Sequence, residues 1–176
     1  MKKIAGISTS SSSNSINRKL LINALNQIDQ NNTTLIDLNP NIPIYSIDIE
    51  ERDGIPEEIQ SLFTELQSYD AYLIAIPEHN GSITALFKNT LDWLSRINQN
   101  IFGKKDILLL STSPGPNGGK YATAHVKNFI PFLGGNVVSD FNLGSFYDNF
   151  QNDFITDKLI NTEYTEALKH FRTVSV

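Results

Sequence analysis

Two hydrophobic periods alternate along the chain. Five short segments read as strands: Lys3 to Ile7, Thr33 to Leu38, Ala71 to Ile76, Ile107 to Leu110 and Asn136 to Asn142. The third and fourth are apolar with almost no polar alternation, the pattern of parallel strands covered on both faces. Between them apolar residues recur at helical spacing, as Ile16, Leu20, Leu21, Ala24, Leu25 and Ile28, then Ile59, Leu62, Phe63 and Leu66, then Ile83, Leu86, Phe87, Leu91, Leu94 and Ile97. Ser15 and Ser82 are placed as N-caps, and Pro56 suits the first turn of the second helix. A fourth helix is expected to run to Leu133, shortened or kinked by Pro131 and stopped by Gly134-Gly135. A closing helix is expected over Asp153 to Phe171. Asn39 to Ile55 carries Pro40, Pro43 and Gly54 without helical periodicity and reads as a long connection, either functional or simply variable surface.

Strands alternating with helices predict an α/β fold with a parallel sheet covered on both sides, because parallel crossovers are right-handed. The expected architecture is a flavodoxin-like three-layer sandwich, a five-stranded parallel sheet of order 2-1-3-4-5, in one domain over residues 1–176. That order brings the loops after the first, third and fourth strands together at the switch point. The first, Ser8 to Ser15, is rich in hydroxyls and leads into a helix N-terminus, where unpaired N–H groups and the macrodipole favour an anion such as phosphate. The same residues also suit a flexible serine loop with Ser15 as a cap. The second loop, Pro77-Glu-His-Asn-Gly-Ser82, ends the central strand, since proline has no ladder donor and Asn-Gly tolerates positive φ. The third, Ser111 to Gly119, has the Gly/Pro density that lets backbone approach a planar ligand. A phosphate group joined to a flat heterocycle would touch all three, and FMN has that shape. A Walker P-loop does not fit, because Pro114 stands at the first required glycine and Tyr121 at the metal-binding Ser or Thr. A nucleophile elbow on Ser8 lacks its second glycine, which is Ser10.

Composition narrows the chemistry. At 176 residues and 40% hydrophobic, the chain has the apolar content for a single full core. The net charge of −5 offers a nucleic acid no positive surface. Zero cysteines exclude disulfides and thiolate chemistry, and three widely spaced histidines argue against a metal cage, so redox chemistry here requires a bound cofactor. No segment approaches membrane-spanning length and the apolar run at the start is short for a signal peptide, giving the expectation of a cytoplasmic protein without membrane contact.

Pro77-Glu-His-Asn-Gly-Ser82, followed by Leu86-Phe-Lys-Asn-Thr-Leu-Asp-Trp93, resembles the signature of the NAD(P)H-dependent FMN reductases, which include quinone, azo-dye and chromate reductases. The family usually has Tyr where His79 stands and Leu where Phe87 stands. Ile7 to Asn17 is similar to its first motif, with Ser10, Ser15 and Asn17 on phosphate-binding positions and Ser12 and Ile16 beside them. The family commonly carries Gly at Thr9 and Arg at Ser12. Arg18 and Lys19 lie nearby, as surface charges or as substitutes. Ser113, Pro114, Gly115, Gly118 and Gly119 match a third motif.

The resemblance implies FMN as cofactor and NAD(P)H as co-substrate, with Pro77, Glu78, His79, Asn80, Ser113, Gly115 and Gly118 around the isoalloxazine. It implies a ping-pong cycle in which a hydride reaches flavin N5 and passes to a small-molecule acceptor, whether a flavin, quinone, azo compound or metal oxyanion. No side chain is required as acid or base and no metal is implied. Glu78 is expected to fix its loop or a subunit contact rather than catalyse, and His79 to replace an aromatic. A homodimer or homotetramer is implied, with Trp93 either an interface residue or part of the core and Lys88, Asp92 and Arg96 a charged ladder. A flavodoxin-like electron carrier and a flavin-binding regulatory protein with little turnover are the alternative readings.

Overall fold

The computed structural model describes residues 2–29 and 31–175. Its centre is a parallel sheet of β1 (Ile4–Ser8), β2 (Thr33–Asp37), β3 (Ala71–Ala75), β4 (Asp106–Thr112) and β5 (Asn136–Leu143), in the expected order β2-β1-β3-β4-β5. β1 and β3 are buried along their whole length and β4 along all but its first residue, whereas the edge strands β2 and β5 are only partly covered. Burial on both faces is why the central runs are uniformly apolar. Successive residues alternate between two cores. Tyr72, Ile74, Ile107 and Leu109 meet α3 (Glu57–Gln67), α4 (Ala85–Ile97) and α5 (Lys120–Phe129), while Leu73, Ala75, Leu108 and Leu110 meet α1 (Ile16–Ile28) and α7 (Lys158–Ser175). Gly6 allows α1 to lie close on the sheet, since a Cβ there would fall 2.5 Å from Leu25 Cδ1.

Three local expectations need correction, and each has a local cause. The long connection contains a helix, α2 (Ile47–Asp53), which buries none of its own residues. It is built by its ends: Ser46 Oγ accepts from the Asp48 N–H, Asp48 and Glu50 sit in the first turn, and Gly54 stops it at φ 78°. Such signals leave no apolar period to read. The cap of α4 is Thr84, whose hydroxyl oxygen accepts from Phe87 N–H at 3.1 Å; Ser82 instead closes a two-residue turn with His79 around Asn80 (φ 53°) and Gly81 (φ 74°). The closing helix begins at Lys158, because Phe150–Gln151 (β6) and Phe154–Ile155 (β7) first pair as a hairpin and Asp157 then accepts from the Leu159 and Ile160 N–H groups. The shortening expected from Pro131 is present: α5 stops at Phe129 and gives way to a 3-10 turn over Ile130–Leu133 that ends at Gly134.

Trp93 belongs to the core, with no exposed surface, and Asn89 beside it holds the 39–55 connection on α4. Trp93 Nε1 donates to Pro43 O at 2.8 Å, Asn89 Nδ2 donates to the same carbonyl at 3.1 Å, and Asn89 Oδ1 accepts from Tyr45 N–H at 2.8 Å. Tyr45 packs edge-on to Trp93 at 5.0 Å and donates to Glu50, which in turn takes Arg96 at 2.8 Å. Glu50 is thus not a free surface charge and Arg96 leaves the ladder, in which only Lys88 and Asp92 pair. Replacing Asn89 by Ala should lower global stability by about 1 kcal/mol, measured by urea unfolding, through loss of the paired backbone groups. It should also raise amide exchange over residues 43–50 well above that of the sheet.

Candidate active site

At the carboxyl edge of the sheet, buried hydroxyls bond to main-chain carbonyls, two of which, Ala75 O and Leu143 O, also accept a backbone N–H. Thr9 Oγ1 donates to Ala75 O at 2.8 Å, Thr84 Oγ1 to Thr9 O at 2.8 Å, Ser111 Oγ to Ile76 O at 2.5 Å and Thr112 Oγ1 to Leu143 O at 2.7 Å. All four side chains are buried, a position that only their pairing makes tolerable. They join the ends of β1, β3, β4 and β5 into one rim.

Asn17 closes this rim across the sheet. Its Nδ2 donates to Thr112 O at 3.0 Å and its Oδ1 accepts from Thr112 N–H at 2.9 Å, so the amide acts as a substitute ladder partner for the end of β4. The first turn of α1 is thereby fixed against the third loop. Asn17 is buried, and its side chain does structural work that the phosphate-contact expectation did not contain. Its N–H and that of Ile16, in the first turn of α1, have no partner among the described residues.

The rim encloses a groove of about 300 Å³ lined by all three loops. Ser10, Ser12, Ser15, Ile16 and Asn17 form one wall, and Pro77, Glu78, His79 and Ser113 lie on it with them. Asn80, Gly115 and Gly118 do not line it. Asn80 sits at the hairpin tip, Gly115 O accepts from Ser113 Oγ and from Ser145 N–H, and Gly118 donates to Ser113 Oγ while packing against β5, where a Cβ would come within 2.9 Å of Gly144 N. These residues shape the loop. Asn14, Thr112, Pro114 and Tyr147 complete the lining and were not among the expected contacts. For Tyr147 the signal was topological: β5 lies beside β4, so the segment after β5 ends at the same rim.

No lysine or arginine lines the groove. Arg18 is turned away, paired through Nε and Nη2 with Asp37 at 2.8 Å each. This guanidinium holds the Asp37 carboxyl below the usual carboxylate range, so the pair contributes most above that range and is lost as the pH falls through it; half-exposed, it is worth little. Glu78 is also engaged, since its Oε2 accepts from the Tyr121 and Ala122 N–H groups at 2.9 and 3.2 Å at the start of α5. Its charge fixes the second loop on a helix N-terminus. Ser82 adds a second tie to that helix, 3.0 Å from His125 Nδ1.

An FMN phosphate fits the first wall by the chemistry of its donors. Beyond the two free N–H groups, Ser10 Oγ accepts from Ser12 N–H, Ser12 Oγ from Asn14 N–H and Ser15 Oγ from Arg18 N–H, which leaves each hydroxyl proton free to donate. Pro114, exposed on the third loop, offers apolar surface there, whereas Pro77 on the second loop is itself buried.

The sheet order and the groove at its carboxyl edge define a flavodoxin-like α/β protein. The family model described as NADPH-dependent FMN reductase matches residues 2–148, and the chain belongs to that family. It is 36% identical over 155 residues to the uncharacterized protein MG342 homolog of Mycoplasma pneumoniae, covering 83% of this chain and 90% of that one. It is 31% identical over 98 residues to the quinone reductase of Escherichia coli K12, a match that covers 56% of this chain and 52% of that protein. FerB of Paracoccus denitrificans, a flavoenzyme NAD(P)H:(acceptor) oxidoreductase, superimposes over the full length of both chains with a TM-score of 0.76 at 24% identity, a likeness of fold.

The Asn17 clamp makes a testable prediction. Asn17→Asp keeps the acceptor for Thr112 N–H but sets a carboxylate against Thr112 O, which should cost about 2 kcal/mol at pH 7 for a buried mismatch. Desolvation and the facing carbonyl would raise the pKa of the introduced carboxyl above its unfolded value. The deficit relative to wild type should therefore shrink as the pH falls towards 4 and the protonated acid donates to Thr112 O. Parallel urea titrations of both proteins at pH 4.5 and 7.5 measure it.

Proposed function

We propose that the protein is an FMN-containing NAD(P)H-dependent oxidoreductase of the cytoplasm that reduces a small-molecule acceptor of the flavin, quinone, azo or metal-oxyanion kind. The observation that carries this reading is the convergence of three loops on one groove, with free N–H and O–H donors along the wall at the start of α1. Family membership supports it. When bound, FMN supplies the redox chemistry, taking a hydride from NAD(P)H and releasing electrons to the acceptor in a second, ping-pong half-reaction.

The chain's part is to bind and orient. The N–H groups of Ile16 and Asn17, with the hydroxyls of Ser10, Ser12 and Ser15, hold the phosphate. Pro77 to His79 on one side and Thr112 to Pro114 on the other confine the ring, and the Glu78 and Ser82 ties to α5 keep the second loop from yielding. Fixed dipoles around a flat ring favour the charge that develops on reduction without reorganising. No side chain serves as acid or base. A homodimer or homotetramer belongs to the same reading, supported by Ile44 and Ile47, which leave apolar surface exposed at the start of the α2 segment.

The purified protein should release FMN, not FAD, on denaturation, and anaerobic NADPH or NADH should bleach its visible flavin band. A flavin that binds but resists both nucleotides would favour an electron carrier or a regulatory protein. Ser12→Arg gives a charge test. An arginine on the phosphate wall should tighten FMN about tenfold, leave riboflavin unchanged and make FMN binding weaken with salt. Equal affinity gains for both flavins would place the phosphate elsewhere.

A further inference from the structure

Tyr147 is an aromatic residue left 67% exposed at the mouth of the groove, on a segment that is otherwise tightly fixed. Ser145 N–H donates to Gly115 O at 2.8 Å and Phe146 N–H to Ser113 O at 3.1 Å, so the short helix α6 (Phe146–Asn149) is tied by its backbone to the third loop. Phe146 is buried and stacks on Phe150 at 4.9 Å, Asn149 Nδ2 donates to Gly144 O, and a Cβ on Gly144 would fall 2.4 Å from Pro116 O. The Tyr147 backbone is therefore positioned mainly by its neighbours, its own ring adding an edge-on contact with Phe146 at 5.6 Å.

The hydroxyl inventory on this side of the groove is short. Thr112 Oγ1 is committed to Leu143 O and Ser113 Oγ to Gly115 O. Among the described residues that line the groove from β4, β5 and their loops, Tyr147 is the one whose side-chain O–H has no hydrogen-bond partner. No cation lines the groove, and Arg18 is held by Asp37. A dianion there would meet the neutral donors of the α1 wall on one side and, on the other, this phenol alone among side-chain hydroxyls.

We propose that Tyr147 is a specificity-determining residue for phosphorylated flavin, its phenol donating to the phosphate across the groove from Ser10 to Asn17 and its ring covering that end from water. The assignment rests on the flavin reading above. It follows that discrimination between FMN and riboflavin is shared between the donors of the α1 wall and one hydroxyl outside the three loop motifs, in a groove where no arginine supplies charge. A hydrogen bond to a charged acceptor is stronger than a neutral one, and it is lost without steric change when Tyr becomes Phe.

The test is equilibrium titration of the flavin-free protein with FMN and with riboflavin, followed by flavin fluorescence, for wild type, Tyr147→Phe and Tyr147→Ala. Tyr147→Phe should weaken FMN about tenfold and leave riboflavin within about twofold, because riboflavin has no phosphate to receive the bond. Tyr147→Ala should weaken both, FMN more, as the covering ring is also lost. Equal effects of Tyr147→Phe on the two flavins, or an FMN affinity unchanged within about twofold, would overturn the assignment. Wild type that binds neither flavin would instead overturn the flavin reading itself, and the two failures are distinct. Matching thermal unfolding of the Phe variant and wild type confirms that a change in affinity is not a change in fold.

Discussion

The site depends on one contact between residues 95 apart in sequence, the two-way pairing of the Asn17 amide with the backbone of Thr112. A parallel sheet aligns its strand ends but does not determine how a helix N-terminus sits over them. Asn17 does, by offering a donor and an acceptor with the spacing of a peptide group. An ionised aspartate or a leucine cannot supply both. With α1 fixed against β4, Ile16 and Asn17 line the same groove as Thr112 to Pro114, as the proposed flavin site requires.

The remaining hydroxyls extend this constraint around the rim. Each of Thr9, Thr84, Ser111 and Thr112 donates to a main-chain carbonyl at a strand end or loop, and each ties a different pair of segments. Buried polar groups of this kind specify a single arrangement, because a shift of one loop would strand several of them at once. The loops that meet the ligand are therefore rigid where they join the sheet and free of their own partners where they face the groove. Preorganisation of that kind is what flavin chemistry asks of its protein.

Much of this was legible in the sequence where it depended on period and punctuation. The apolar runs at Ala71 and Ile107 gave the central strands because both faces are buried, and Pro77, Asn80 and Gly81 gave the turn because φ is positive at the last two. What escaped depends on partners distant in sequence or on signals too short to have a period. Ser82 and Thr84 are equally good caps by residue type, and only the bond from Thr84 to Thr9 O selects the later start of α4. Asn17 was expected as a site residue through the first motif, but its role as a clamp required knowing that Thr112 lies opposite. Arg18 could be placed near the site but not excluded from it until Asp37, at the end of the neighbouring strand β2, was seen to hold it. Tyr147 lies beyond every loop motif and reaches the groove only through the adjacency of β4 and β5.

The most direct test of the central claim is backbone amide NMR of the protein titrated with FMN. Simultaneous shifts are expected at Ile16, Asn17, His79 and Ser113, whose loops the sheet order brings together and the Asn17 clamp and the rim hold in place. Shifts confined to one of these loops, or centred on the separate surface groove between Gln27 and Arg172, would contradict the placement of the flavin and with it the role assigned to the clamp.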